Sequence, residues 1–232
     1  MKLLDLFCGA GGAAVGYYRS GFTDITGIDN RPQKHYPFRF IQTDALKYLA
    51  EHGHEYDVIH ASPPCQAFAR IGHVHGRCGL HPKLVDATRD ALILVGNPWI
   101  IENVPDSKLP TTTILCGSMF SLGAIGPDGV YRQLRRHRLF ESPVAMLTPA
   151  CSHNGEPIGV YGRGGPQRAE RKRGYMGGKR ERQEAMQIDW MDTVELSNAI
   201  PPAYTLWIGT QLMKVLDTVA VQTLFPDVGT IL

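Results

Sequence analysis

The chain has 232 residues, of which 43% are hydrophobic and 20% charged, with a net charge of +2 at pH 7. That length holds one full α/β domain with a modest appendage and falls short of two complete domains, and the ordinary composition excludes extensive disorder. No apolar run approaches the roughly 18 residues of a membrane span, and Asp5 interrupts the apolar start Met1-Lys2-Leu3-Leu4, so no secretory signal and a cytoplasmic location are expected.

Leu3 to Phe7 predicts a short buried strand, and Cys8-Gly9-Ala10-Gly11-Gly12 a tight turn that opens a helix through Ala13, Val15 and Tyr18. Glycines let the backbone pass close to a ligand, and a new helix N-terminus offers unpaired N–H groups. The spacing falls short of a full Gly-x-Gly-x-x-Gly dinucleotide loop. Ile25 to Ile28 reads as a second strand ending at Asp29, about 20 positions after the glycine turn, where a carboxylate commonly holds a ribose diol. A solvated turn residue is the alternative. Phe38 to Gln42 is a third strand, followed by a short amphipathic helix on Leu46, Leu49 and Ala50; Asp44 either caps that helix or reaches an adenine amino group.

Asp57 to Ala61 is a fourth strand, and it runs into Ser62-Pro63-Pro64-Cys65-Gln66. Two prolines stop its hydrogen-bond ladder, because neither offers an N–H and each fixes φ. Cys65 is thereby held on a stiff loop at a strand's C-terminal edge, where open α/β sheets bind ligands. Gln66 to Pro82 is a long Gly- and His-rich loop of the kind that serves as a lid or binding loop, with His73, His75 and His81 read as solvated. Val85 to Val95 predicts a helix, and Trp99-Ile100-Ile101 a fifth strand delivering Glu102-Asn103-Val104.

Beyond this point Thr111 to Leu122 is expected to be helical and Leu139-Phe140 to form a short strand. From Ser142 to about Asp192 the pattern breaks into Gly, Pro and basic residues, and an apolar helix then starts at Pro201-Pro202. Alternating strands and helices up to Glu102 call for a mostly parallel sheet with helices on both faces, a Rossmann-like α/β fold with a small basic insertion.

Between Gly159 and Gln183 eight basic residues stand against two acidic ones, a local charge of +6 that leaves −4 for the rest of the chain. Arg163, Arg168, Arg171, Lys172 and Arg173 form the centre of a plausible phosphate-binding surface, with Tyr161 or Tyr175 as stacking partners; a soluble, flexible loop is the alternative. The five cysteines, Cys8, Cys65, Cys78, Cys116 and Cys151, read as reduced thiols. Cys78 with His81, or Cys151 with His153, could seed a metal site, but no Cys-x-x-Cys pair exists and no metal is expected.

Six short stretches in order resemble the cytosine-C5 DNA methyltransferase family: Asp5 to Gly12, Asp29, Asp44, Ser62 to Gln66, Glu102 to Val104 with the arginines up to Arg138, and Ser197 to Pro202. The resemblance implies a methyl transfer from S-adenosylmethionine to carbon 5 of a flipped-out cytosine, with the Cys65 thiolate adding to carbon 6. It implies that Glu102 binds the base at N3, that Arg138 donates to O2, and that Arg136 supports the site. Phe7, Gly9, Gly11, Asp29, Asp44, Pro64 and Asn198 would surround the cofactor. Residues 1–141 and 193–232 would then form the catalytic domain and 142–192 a small target-recognition region. That region is shorter than in restriction-linked relatives, which implies a short or relaxed DNA target; the enzyme is expected to act as a monomer. An RNA-methylating relative and a catalytically silent nucleic-acid-binding homologue are the alternatives.

Overall fold

The computed structural model describes residues 1–64, 84–107, 109–110, 113–162 and 175–224, with side chains as far as residue 218. Cys65, the stretch from Gln66 to Pro82 expected to be a loop, and the arginine-rich stretch from Arg163 to Arg173 lie outside the described residues. Five parallel strands build the first half: β1 (Lys2–Leu6), β2 (Asp24–Asp29), β3 (Arg39–Gln42), β4 (Val58–Ala61) and β5 (Trp99–Asn103). Two further strands, β6 (Thr113–Leu115) and β9 (Arg138–Glu141), extend the sheet to the order β3-β2-β1-β4-β5-β9-β6, and β9 runs antiparallel to both of its neighbours.

The apolar runs are nearly continuous because both faces of this sheet are covered. Side chains alternate across a strand, so Leu3, Val58 and Ile100 enter one core while Leu4, Leu6, Ile59 and Ile101 enter the other. The first core is roofed by α1 (Gly12–Ser20) and the C-terminal α6 (Pro202–Leu224), the second by α2 (Ala45–His52) and α3 (Leu84–Val95). Helices α1 and α6 touch closely because Gly16 has no side chain. A Cβ there would strike Thr205 Oγ1 and the Pro202 carbonyl. Thr205 also donates to the Ala13 carbonyl at 2.8 Å.

A second, four-stranded sheet has the order β11-β10-β8-β7 and combines β7 (Gly123–Ile125), β8 (Tyr131–Leu134), β10 (Glu156–Gly159) and β11 (Tyr175–Met176). It is flanked by α4 (Lys179–Met186) and followed by α5 (Thr193–Asn198). The small sheet thus draws two strands from before residue 141 and two from the basic insertion. The expected helix over 111–122 is not found in the described part of that range: β6 and a 3-10 turn at Gly117–Phe120 take its place. Thr113-Ile114 is a β-branched pair that fits a pleated strand better than a helix, and β9 supplies its ladder.

Candidate active site

The parallel sheet changes winding direction between β1 and β4, and loops at the carboxyl ends of those strands flank the crevice where such sheets bind ligands. Period-two spacing puts Asp5, His60 and Glu102 on one face, on β1, β4 and β5; the register pairs Asp5 with His60 and His60 with Ile100. All three are buried polar groups, so each needs a partner. Tyr36 donates to Asp5 Oδ2 at 3.2 Å, yet burial still pushes the Asp5 carboxyl up to about 8.

His60 lies at the centre of a relay. Burial holds its imidazole down to about 3, so the ring is neutral, with one nitrogen donating and the other accepting. Its Nδ1 is 3.0 Å from the Tyr17 hydroxyl and its Nε2 is 3.0 Å from Ser62 Oγ. With the phenol donating to Nδ1, Nε2–H donates to Ser62 Oγ, and Ser62 is among the groups that pull the Glu102 carboxyl down.

Glu102 is 6% exposed, and burial raises its carboxyl pKa against the lowering pull of Arg138, Ser62 and Arg136. Arg138 Nε stands 2.8 Å from Glu102 Oε1. That ion pair is not aligned as a hydrogen bond, so Oε1 has no hydrogen-bond partner among the described residues. The next residue, Asn103, donates Nδ2–H to the Pro63 carbonyl at 3.1 Å. The end of β5, which carries the carboxylate, is therefore tied to the Ser62-Pro63-Pro64 segment after β4.

The glycine turn occupies the other side of the crevice. Phe7, Gly9 and Gly11 all have positive φ (56°, 48° and 83°), a strained state for Phe7 of the sort that clusters at ligand sites. A Cβ on Gly9 would meet nothing within 4 Å, so its outer side faces open space. Gly9 N–H donates to Asp29 Oδ2 at 3.2 Å and Arg31 N–H to Asp29 Oδ1 at 2.9 Å, which fixes that carboxylate at the tip of β2 beside the turn. Gly11 caps α1 without a side-chain acceptor, leaving the first-turn N–H groups without a side-chain cap.

Residues 1–92 match the family model described as C-5 cytosine-specific DNA methylase. The type II methyltransferase M.HgiGI of Herpetosiphon aurantiacus is 30% identical over 121 residues, covering 47% of this chain and 94% of that protein. The chain belongs to the C-5 cytosine-specific DNA methylase family. The type II methyltransferase M.FnuDI of Fusobacterium nucleatum is 35% identical over 82 residues, 33% of this chain but only 24% of that protein's length. The structure of the Entamoeba histolytica methyltransferase EhMeth superposes with a TM-score of 0.59 at 12% identity, covering 93% of this chain and 98% of that one. At that identity the likeness establishes a Rossmann-like methyltransferase fold.

Against the family pattern, the structure brings Glu102, Arg138, Arg136, Pro64, Phe7, Gly9, Gly11 and Asp29 to the carboxyl edge of the sheet. Arg136 is buried and donates to the Val160 carbonyl at 2.8 Å and to the Ser197 carbonyl at 2.6 Å, so it clamps the small sheet to α5. Asp44 caps α2, accepting from Lys47 N–H at 2.9 Å. Asn198 is exposed and bonds back to the Val194 carbonyl at 3.2 Å. Cys65, Arg163, Arg168, Arg171, Lys172 and Arg173 lie outside the described residues.

Arg182, counted in the basic stretch, is 1% exposed and donates to the carbonyls of Gly177 and Gly162. Tyr175 is covered by the Arg132 guanidinium at 3.9 Å and donates to Glu181. Both belong to the packing of the small sheet. Sequence reasoning missed Tyr17, His60, Tyr36 and Trp190. Trp190 donates its indole N–H to the Ala10 carbonyl at 2.9 Å and so anchors the glycine turn from the C-terminal block. The one available signal was His60 itself, a polar residue inside a wholly buried strand.

Proposed function

We propose that this chain is an S-adenosylmethionine-dependent DNA (cytosine-5-)-methyltransferase. The observation that carries the reading is the buried Glu102, paired with Arg138 and tied through Asn103 to the Ser62-Pro63-Pro64 segment after β4. S-adenosylmethionine supplies an electrophilic methyl group when bound. Phe7, Gly9 and Gly11 would hold its methionine part at the open face of the turn, Asp29 its ribose, Asp44 its adenine, with Pro64 and Asn198 bordering the same pocket. The free first-turn N–H groups of α1 suit a carboxylate.

Carbon 5 of cytosine is a weak nucleophile. The Cys65 thiolate adds to carbon 6 and makes carbon 5 enamine-like. Glu102, whose burial favours the protonated form, donates a proton to N3 as negative charge develops on the ring. Arg138 donates to O2, and Arg136 supports it by holding the segment in place. After methyl transfer, loss of the carbon 5 proton and departure of Cys65 restore the aromatic ring. A duplex base must leave its stack to reach this crevice. In this reading 1–141 and 193–232 supply catalysis, while 142–192, with Arg163, Arg168, Arg171, Lys172 and Arg173, holds the nucleic-acid backbone.

Methyl transfer from labelled S-adenosylmethionine to duplex DNA, single-stranded DNA and tRNA, run in parallel with Cys65→Ser, tests this. The expected product is 5-methylcytosine in DNA, absent with the variant. Label in tRNA alone would reassign the substrate, and label that survives in Cys65→Ser would remove the thiol from the mechanism.

A further inference from the structure

Outside the crevice a second group of reactive side chains converges. Cys116, His137, Cys151 and His153 each offer one donor atom, and all four atoms lie within 4.8 Å of one another. His153 Nε2 is 3.3 Å from Cys116 Sγ and 3.0 Å from Cys151 Sγ, and His137 Nε2 is 3.6 Å from Cys151 Sγ. The two imidazoles are edge to face, 5.1 Å apart at 76°, each with Nε2 turned toward the same sulfur. With Zn–S bonds of about 2.3 Å and Zn–N bonds of about 2.0 Å, a tetrahedral zinc spaces its donors roughly 3.3–3.8 Å apart. The three Sγ–Nε2 spacings fall around that edge length, and the remaining pairs lie within 4.8 Å.

We propose that Cys116, His137, Cys151 and His153 bind one structural zinc ion. Two thiolates balance its two positive charges and two neutral imidazoles complete the shell, so any cysteine protonated beforehand releases its proton on binding. Four protein donors leave no open position, which is the pattern of a structural site and not of a hydrolytic one. A Cys116–Cys151 disulfide would leave unexplained why both imidazoles aim at the sulfurs; both cysteines are free.

The ligands come from three separate places. Cys116 directly follows β6, His137 sits between β8 and β9, and Cys151 and His153 belong to the irregular connection from β9 to β10. That connection is held midway by Leu147, whose N–H donates to Gln211 Oε1 and whose carbonyl accepts from the Trp207 indole. Zinc would secure its far end and cross-link the main sheet to the small one. His137 immediately precedes Arg138, so the same cross-link steadies the backbone that brings Arg138 to Glu102.

The test is the metal content of the full chain, expressed with zinc and purified under reducing conditions, which needs no assay of methyl transfer. One zinc per chain is expected, falling roughly tenfold or more in Cys151→Ser and in His153→Ala and unchanged in Cys78→Ser. Cys151→His retains four donors and should keep the metal, which separates loss of a ligand from loss of the fold. Cobalt(II) in place of zinc should give thiolate-to-cobalt absorption and tetrahedral visible bands. A reduced wild-type chain that takes up no zinc in titration would overturn the proposal, as would zinc retained by Cys151→Ser or lost from Cys78→Ser.

Discussion

The parallel half of the molecule and the small second sheet use their polar residues in opposite ways. On β1, β4 and β5 the polar groups come from short contiguous motifs, because each parallel strand ends at the same edge and hands its last residues to one crevice. In the second sheet the charged residues are spent on architecture. Arg132 stacks on Tyr175 and pairs with Asp128 and Glu156, and Arg182, on the flanking α4, is buried. Charge along a sequence therefore means different things in the two regions: at the sheet edge it marks chemistry, and around the small sheet it supplies cohesion beside an apolar core that includes Leu134, Ile158 and Met186.

Glu102→Ala should produce the largest effect, since it strikes the edge. Acid–base groups contribute roughly 10²–10⁴-fold to rate, and a loss of that size in kcat is expected with the fold intact by circular dichroism. A rate within about threefold of wild type would break the distinction at its functional end.

Arg182→Met probes the other region. It strands the Gly177 carbonyl, while the Gly162 carbonyl keeps the Ser197 hydroxyl as donor, and should cost roughly 2–4 kcal/mol in denaturant unfolding, whereas Arg180→Ala, at an exposed position, should leave stability nearly unchanged. Equal effects from the two would show that Arg182 is not a structural arginine.

The last effect is a slope. The Asp5 carboxyl rises from 3.8 to about 8 on folding, so the native state binds more protons between those values and stability falls as pH rises through that window. His60 acts oppositely: its pKa drops from 6.5 to about 3, so its contribution is present above 6.5 and is lost as pH falls toward 3. Asp5→Asn should remove the first slope, giving a melting temperature that gains on wild type from pH 5 to pH 8. A difference that stays constant across that range would assign the effect to packing instead.

Much of the catalytic edge was legible in the chain because its signals are local. Pro63-Pro64 must end a strand, glycines must make the turn before α1, and apolar runs buried on both faces must belong to a parallel sheet. The relay from Tyr17 through His60 to Ser62 was not legible, since a histidine in a buried strand has no partner visible in sequence until α1 is laid across β4. The helix expected over 111–122 failed for a related reason: β6 exists because β9 returns antiparallel to give it a ladder, a pairing that no local propensity contains.

Sequence alone determined the family, the parallel strands and the residues at their ends, because a parallel sheet converts local motifs into a shared edge. Tertiary structure alone decided that Arg136 and Arg182 are clamps and that Cys116, His137, Cys151 and His153 meet. Only Cys151 and His153 are close in sequence; Cys116 and His137 join them because two sheets and a long connection fold back onto one another.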